Sequence, residues 1–80
     1  MSRDDILAQV ADIIREYFDE DGLEITDATS AADVEGWDSL SHVNIMAAIE
    51  QKFRTKISVG EFEKIKNIGD LVTLLGAKVA

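Results

Sequence analysis

The sequence predicts an all-helical bundle. Apolar residues recur in short groups at spacings of three and four, polar and acid-rich stretches separate those groups, and the 80 residues contain no proline and few aromatics. A sheet would instead ask for period-two alternation punctuated by turn residues. A chain of this length forms one small domain, taken as 1–80, and buries only about 60% of its unfolded surface on folding, so the core must be thin.

Ser2 followed by Asp5 has the spacing of a capping box, and Ile6, Val10, Ile13, Ile14, Tyr17 and Phe18 then fall on one face of a helix expected over Arg3 to Phe18. Asp12, Arg15, Glu16 and Asp19 make its wet side. From Asp19 to Trp37 neither period persists. A loop of that length in a compact domain calls for a function, and Leu23, Ile25, Val34 and Trp37 are spaced to pin it to the bundle, with a short helical turn near Ser30 to Val34.

Periodicity returns at Ser39. Leu40, Val43, Met46, Ala47, Ile49 and Phe53 form a broad apolar arc on a second helix over Ser39 to Phe53, and breadth of that kind predicts neighbours on more than one side. Ser41, Asn44, Ala48, Gln51 and Lys52 make its exposed face. After a turn at Arg54, Thr55 and Lys56, Ser58 with Glu61 forms another capping box, flanked by Ile57 and Phe62 at the staple positions, and opens a short helix over Val59 to Lys64. Asn67 with Asp70 repeats the pattern, and Ile68, Leu71, Val72, Leu75 and Val79 supply the stripe of a last helix ending near Gly76 to Val79. Gly69 falls in its first turn, where glycine costs less than in mid-helix.

The formal charge is −8, which argues against a nucleic-acid partner, because a phosphate backbone repels it. Partners with basic docking surfaces fit better. Between Asp19 and Asp38 stand eight carboxylates (Asp19, Glu20, Asp21, Glu24, Asp27, Asp33, Glu35, Asp38) and no Lys or Arg, whereas five of the eight basic residues lie between Lys52 and Lys66. An acidic stretch thus leads into Ser39, and a basic one follows the far end of the helix that Ser39 opens. No apolar run approaches the roughly 18 residues of a membrane span, and no basic-then-apolar leader is present, so a cytoplasmic protein without membrane insertion is expected. There is no cysteine. Any thiol chemistry must come from an added group.

Ser39 stands where loop becomes helix, beside backbone amides that lack intrahelical acceptors, and both those amides and the helix dipole suit a phosphate ester. A hydrolase must still be weighed, since Asp38, Ser39 and His42 are the residue types of a triad. His42 lies three residues beyond Ser39 on the same helix, but Asp38 is on the wrong side to orient its far ring nitrogen, and no Gly-x-Ser-x-Gly elbow is present. Asp19, Asp21, Gly22 and Glu24 resemble part of a calcium loop, yet setting Gly22 at position six puts Tyr17 at one and Ala28 at twelve, so the register fails at both ends. Trp37 reads as a core anchor, Met46 as packing, and His42 as a surface histidine near the functional group.

The order of elements, with Asp38, Ser39 and Leu40 opening the second helix and Glu50, Gln51, Lys52 and Phe53 closing it, resembles the acyl carrier protein family over nearly the whole chain. The resemblance implies a four-helix acyl-carrier-like bundle of three main helices and one short one, with a long loop between the first two. It implies that Ser39 is esterified with phosphopantetheine by a phosphopantetheinyl transferase using coenzyme A and Mg2+. Acyl groups would ride on the arm as thioesters, and the chain itself would be a non-catalytic monomeric substrate of acyl-loading and acyl-processing enzymes. Asp38, Leu40, Val43, Met46, Trp37 and Glu35 become the expected partner contacts. An aminoacyl or peptidyl carrier shares the modification and differs in cargo, and an unmodified helical interaction domain is the alternative of another class.

One departure stands out. Carriers of primary fatty-acid synthesis usually have acidic residues on the exposed face just after the triplet, where Ser41 and Asn44 stand here. With the Gly36, Trp37 pair before the triplet, this resembles stand-alone carriers of dedicated fatty-acid, polyketide or related lipid pathways.

Overall fold

The computed structural model describes residues 2–79 and contains four helices in the order α1 (Arg3–Phe18), α2 (Ser39–Phe53), α3 (Val59–Lys64) and α4 (Ile68–Val79), with a 3-10 turn at Ala31–Asp33 in the loop after α1. No strand occurs among the described residues. The described part measures 30 × 25 × 21 Å.

Local chemistry sets the helix ends. Ser2 Oγ accepts from the Asp5 amide at 3.1 Å while the Ser2 amide donates to the Asp5 carboxylate at 3.3 Å, which completes the expected box at the start of α1. α1 and α2 both end on a non-glycine residue in the left-handed region, Asp19 at φ 53° and Arg54 at φ 52°. Six residues are too few to hold a helix by themselves, so α3 depends on its ties. Ser58 and Glu61 form its box at 3.0 and 3.2 Å, and Lys78 of α4 pairs with Glu61 at 3.1 Å. The Ser58 amide first, then Lys78, holds the Glu61 carboxyl below the usual range. At α4, Asn67 Oδ1 accepts from the Asp70 amide at 2.8 Å, but the Asp70 carboxylate reaches back to the Lys66 amide rather than to that of Asn67.

α1 packs on both α4 and α2. Ile6, Val10, Ala11 and Ile14 bring its buried side, Leu71, Val72 and Leu75 that of α4, and Ile45, Ile49 and Phe53 that of α2. Fully burying each large aliphatic side chain is worth about 1.5–3 kcal/mol, so these few residues hold most of the stability of the domain. Tyr17, expected on the apolar face of α1, is instead 41% exposed, and its hydroxyl accepts from the Asn44 amide group at 3.2 Å.

The loop is fastened at both flanks. Arg15 Nε donates to the Leu23 carbonyl at 2.7 Å, Ile25 and Val34 are buried, and Leu23 and Trp37 pack against the core. The carbonyls of Thr29 and Asp27 accept from the Ile68 and Gly69 amides, each at 2.8 Å. The first turn of α4, whose amides lack helical partners, is therefore capped by loop backbone, and Arg3 closes the seam by bonding Asp27, the Gly69 carbonyl and Thr73. Such a seam explains how a stretch without periodicity keeps one shape.

The facing of α2 corrects the expectation. Ser41, Ile45, Met46, Ile49 and Phe53 are buried, whereas Leu40 and Val43 are 68% and 57% exposed and Ala47 also faces out. The helix carries two apolar stripes, and only that of Ile45 and Ile49 meets α1. Ser41, expected outside, turns in because its hydroxyl donates to the Gly36 carbonyl at 3.2 Å, which satisfies it inside the bundle.

Candidate functional site

A tight turn sets up the start of α2. Gly36 has φ 87°, a left-handed conformation that favours glycine, and the Trp37 amide donates to the Val34 carbonyl at 3.2 Å. Asp38 is the N-cap. Its carboxylate accepts from the Ser41 amide at 2.8 Å and its carbonyl from the His42 amide at 2.9 Å. The Ser41 amide, aided by the Ser41 hydroxyl, lowers the Asp38 carboxyl below its ordinary range, so it is ionised at neutral pH. Ser39 is the first residue of α2 and is exposed. Its hydroxyl thus sits on the outside of a helix start that is fixed from within by Asp38 and Ser41.

Aromatic rings brace this corner. Tyr17 meets Phe18 edge-on at 5.0 Å, Phe18 lies 5.9 Å from Trp37, Trp37 lies 5.9 Å from His42, and His42 meets Phe62 edge-on at 4.5 Å. The series joins α1, the loop, α2 and α3. Trp37 Nε1 donates to His42 Nδ1 at 3.1 Å. Accepting there leaves the ring proton of neutral His42 on Nε2, and burial pushes the imidazole below its usual value. With Nδ1 taken by an indole and no carboxylate beside it, His42 has none of the orientation that a triad base needs.

One hollow adjoins Ser39 and a second lies next to it. A shallow groove of about 510 Å3 is bordered by Ala31, Trp37, Asp38, Ser39, His42, Val43, Phe62 and Ile65. A second pocket shares Ala31, Trp37, His42 and Ile65 with it and reaches Met46, Ile68 and Leu71.

The expected contact residues divide. Glu35, Asp38, Leu40 and Val43 are exposed around Ser39, and Trp37 is half-buried as the anchor of the loop. Met46 is 4% exposed and packs in the core, which takes it off any surface that a partner meets. Ser41 is likewise inside, so of the two positions expected to set the docking face only Asn44 belongs to it. Val59, 75% exposed at the start of α3, and His42 with its bond to Trp37 were not singled out by periodicity. A Trp and a His five residues apart across a helix start are the one sequence signal of that pair.

Among the described residues, no group of three or more His, Asp or Glu is placed to hold a metal ion, and no helix is long and apolar enough to cross a membrane.

Comparison with known proteins agrees with this geometry. A family described as a phosphopantetheine attachment site matches residues 8–75. An acyl carrier protein of Caulobacter vibrioides is 36% identical over 76 residues, covering 95% of this chain and 97% of its own. Another, of Thermotoga maritima, is 32% identical over 78 residues, covering 98% and 96%. The solution structure of a holo acyl carrier protein from Geobacter metallireducens superposes with a TM-score of 0.87 at 40% identity, covering 92% of this chain and 85% of its own. A domain matched from α1 to α4, relatives of nearly equal length and an all-helical neighbour agree: the chain belongs to the acyl carrier protein family, and its prosthetic group is phosphopantetheine.

Proposed function

We propose that Ser39 is the attachment point of the phosphopantetheine and that the chain ferries acyl groups between enzymes of a dedicated fatty-acid, polyketide or related lipid pathway. The observation that carries the reading is the exposed Ser39 at the first position of α2, on the rim of an open groove and with its helix start already fixed by Asp38. When bound, the group supplies a thiol that can hold acyl groups as thioesters, in a chain without cysteine. The residues present fit such a group, because a serine hydroxyl free of structural duty can be esterified without loss of a cap.

The chain contributes no base of its own, since His42 Nδ1 is engaged by Trp37. Deprotonation of the Ser39 hydroxyl therefore falls to the transferase, as does its attack on the pantetheine-side phosphorus of coenzyme A, which breaks the pyrophosphate bond and releases adenosine 3′,5′-bisphosphate. Asp38 and Glu35 put negative charge beside Ser39, and the segment between residues 19 and 38 carries no Lys or Arg to offset it. Repulsion from these acids directs the arm away from the surface and keeps it mobile, and a mobile arm raises the effective concentration of its cargo at each enzyme it visits. Leu40 and Val43, one turn apart and both exposed, offer an apolar contact flanked by those carboxylates. The complementary surface is an apolar depression edged with Lys and Arg.

Asn44 in place of an acid lowers the charge on the outer face of α2, which supports a dedicated pathway over primary fatty-acid synthesis. Incubation with a phosphopantetheinyl transferase, coenzyme A and Mg2+ should raise the intact mass by one phosphopantetheine, and Ser39→Ala should abolish the gain. A gain that survives Ser39→Ala refutes the attachment point. Efficient replacement of a primary fatty-acid carrier in cells refutes the dedicated pathway.

A further inference from the structure

We propose that His42 is the seat of the phosphodiester: its Nε2–H donates to the phosphate esterified on Ser39, so that Trp37, His42 and the phosphate form one chain of hydrogen bonds that orients the root of the arm. The proposal rests on Ser39 as the attachment point. Ser39 and His42 stand three apart on α2 and border the same groove, and residues at that spacing are neighbours on a helix surface. Helical side chains lean toward the N-terminus, so the imidazole belongs over the turn that Ser39 opens.

The ring is held and its tautomer set before any phosphate arrives. Nδ1 accepts from Trp37 Nε1 at 3.1 Å, which leaves the proton of the neutral ring on Nε2, and the pair is braced by Phe18 against Trp37 and by Phe62 against His42. Among the described residues Nε2 has no hydrogen-bond partner, and it is not a buried atom. No Lys or Arg borders the groove. Of the side chains that do, Trp37 spends its N–H on His42, so His42 is the one left with an N–H to give. A bond from that donor to an anion is charge-assisted and stronger than one to a neutral acceptor. The first bonds of the arm thereby take a direction set by Trp37 and Phe18, while the pantetheine beyond them turns freely.

The experiment compares apo and holo protein by NMR, the holo form made with a phosphopantetheinyl transferase, coenzyme A and Mg2+ and verified by intact mass. His42 is the single histidine of the chain, so its ring signals are unambiguous under isotope labelling. At neutral pH the Nε2 proton should exchange with solvent about tenfold more slowly in holo than in apo protein, with Nδ1 unprotonated in both. A phosphodiester keeps its charge through mild acid, so its phosphorus resonance should move with pH as His42 titrates, at a midpoint above that of the apo imidazole, because the anion favours the charged ring. Of the side chains that border either hollow with His42, the ionisable ones are Asp38 and Lys66. Both are common to the two forms, so the difference isolates the phosphate. His42→Phe keeps a flat ring against Phe62 without the donor and should leave the phosphorus resonance level across the same range. If that variant does not fold, the comparison within the native chain still decides. Equal exchange in the two forms, a neutral holo ring protonated on Nδ1, a midpoint that does not rise, or a phosphorus titration that persists in His42→Phe overturns the seat. A native chain that gains no mass, or a Ser39→Ala chain that gains it, refutes the attachment reading instead.

Discussion

Gly69 is the position where the seam between loop and α4 is tightest. A Cβ built there lies 3.0 Å from the Asp27 carbonyl oxygen and 3.2 Å from Asp27 Cβ. That carbonyl cannot withdraw freely, because it accepts from the Gly69 amide itself at 2.8 Å while Arg3 holds the Asp27 carboxylate at 3.1 Å. For Gly69→Ala, helix propensity offers a gain of at most about 1 kcal/mol, and less in a first turn. Overpacking against a held backbone costs about 1–3 kcal/mol. The net should be a loss of about 1–2 kcal/mol, or roughly 4–16 °C in a domain of this size. Thermal melting followed by circular dichroism measures it, and Gly60→Ala is the control: a Cβ there meets nothing within 4 Å, so the same substitution should stabilise by a few tenths to about 1 kcal/mol. A Gly69→Ala protein that melts at or above the native temperature refutes the view that the loop is clamped to α4.

Ile14 of α1 is fully buried in the core, and Ile14→Ala should cost about 2–5 kcal/mol in denaturant unfolding, a large share of the stability of so small a domain. Burial holds the His42 pKa in the folded state below its unfolded value near 6.5, so the unfolded chain takes up the proton first. Stability should be level above about pH 6.5, decline as pH falls below it and stop declining on this account once the folded imidazole is also protonated. Melting curves across that window should flatten in His42→Phe. Leu40→Ser and Val43→Ser should leave unfolding within about 0.5 kcal/mol of native, as exposed positions do, yet slow modification by the transferase at limiting carrier concentration, in a timed mass assay.

The helices were legible because their ends are written in local chemistry. Ser2 with Asp5, Ser58 with Glu61 and Asn67 before Asp70 mark starts, and α1 to α4 begin and end where capping and periodicity place them. The facing of α2 was legible only in part: Met46, Ile49 and Phe53 are buried and Asn44, Ala48, Gln51 and Lys52 exposed as expected, but Leu40, Val43 and Ala47 face out and Ser41 faces in. Leu40, Val43 and Ala47 form one apolar stripe and Ser41, Ile45, Ile49 and Phe53 another, and the more apolar-looking arc includes residues that face out. What decides is a hydrogen bond, Ser41 to the Gly36 carbonyl, across a turn whose geometry depends on φ at Gly36. Met46 lay between the stripes and went to the core. His42 was legible as a residue type but not as a partner of Trp37, because the bond needs the loop to return against α2 and no periodicity describes that return.

α2 divides its labour by face. The stripe of Ile45, Ile49 and Phe53 answers to the fold, while Leu40, Val43 and Asn44 are exposed and, on the function proposed above, answer to whatever enzyme approaches Ser39. Mutation can therefore explore the outer face one step at a time without crossing an unfolded intermediate, and a duplicated copy of such a carrier can acquire new clients while its scaffold stays under selection for folding alone. Partner choice and foldability can evolve as nearly independent traits on a single helix of 15 residues.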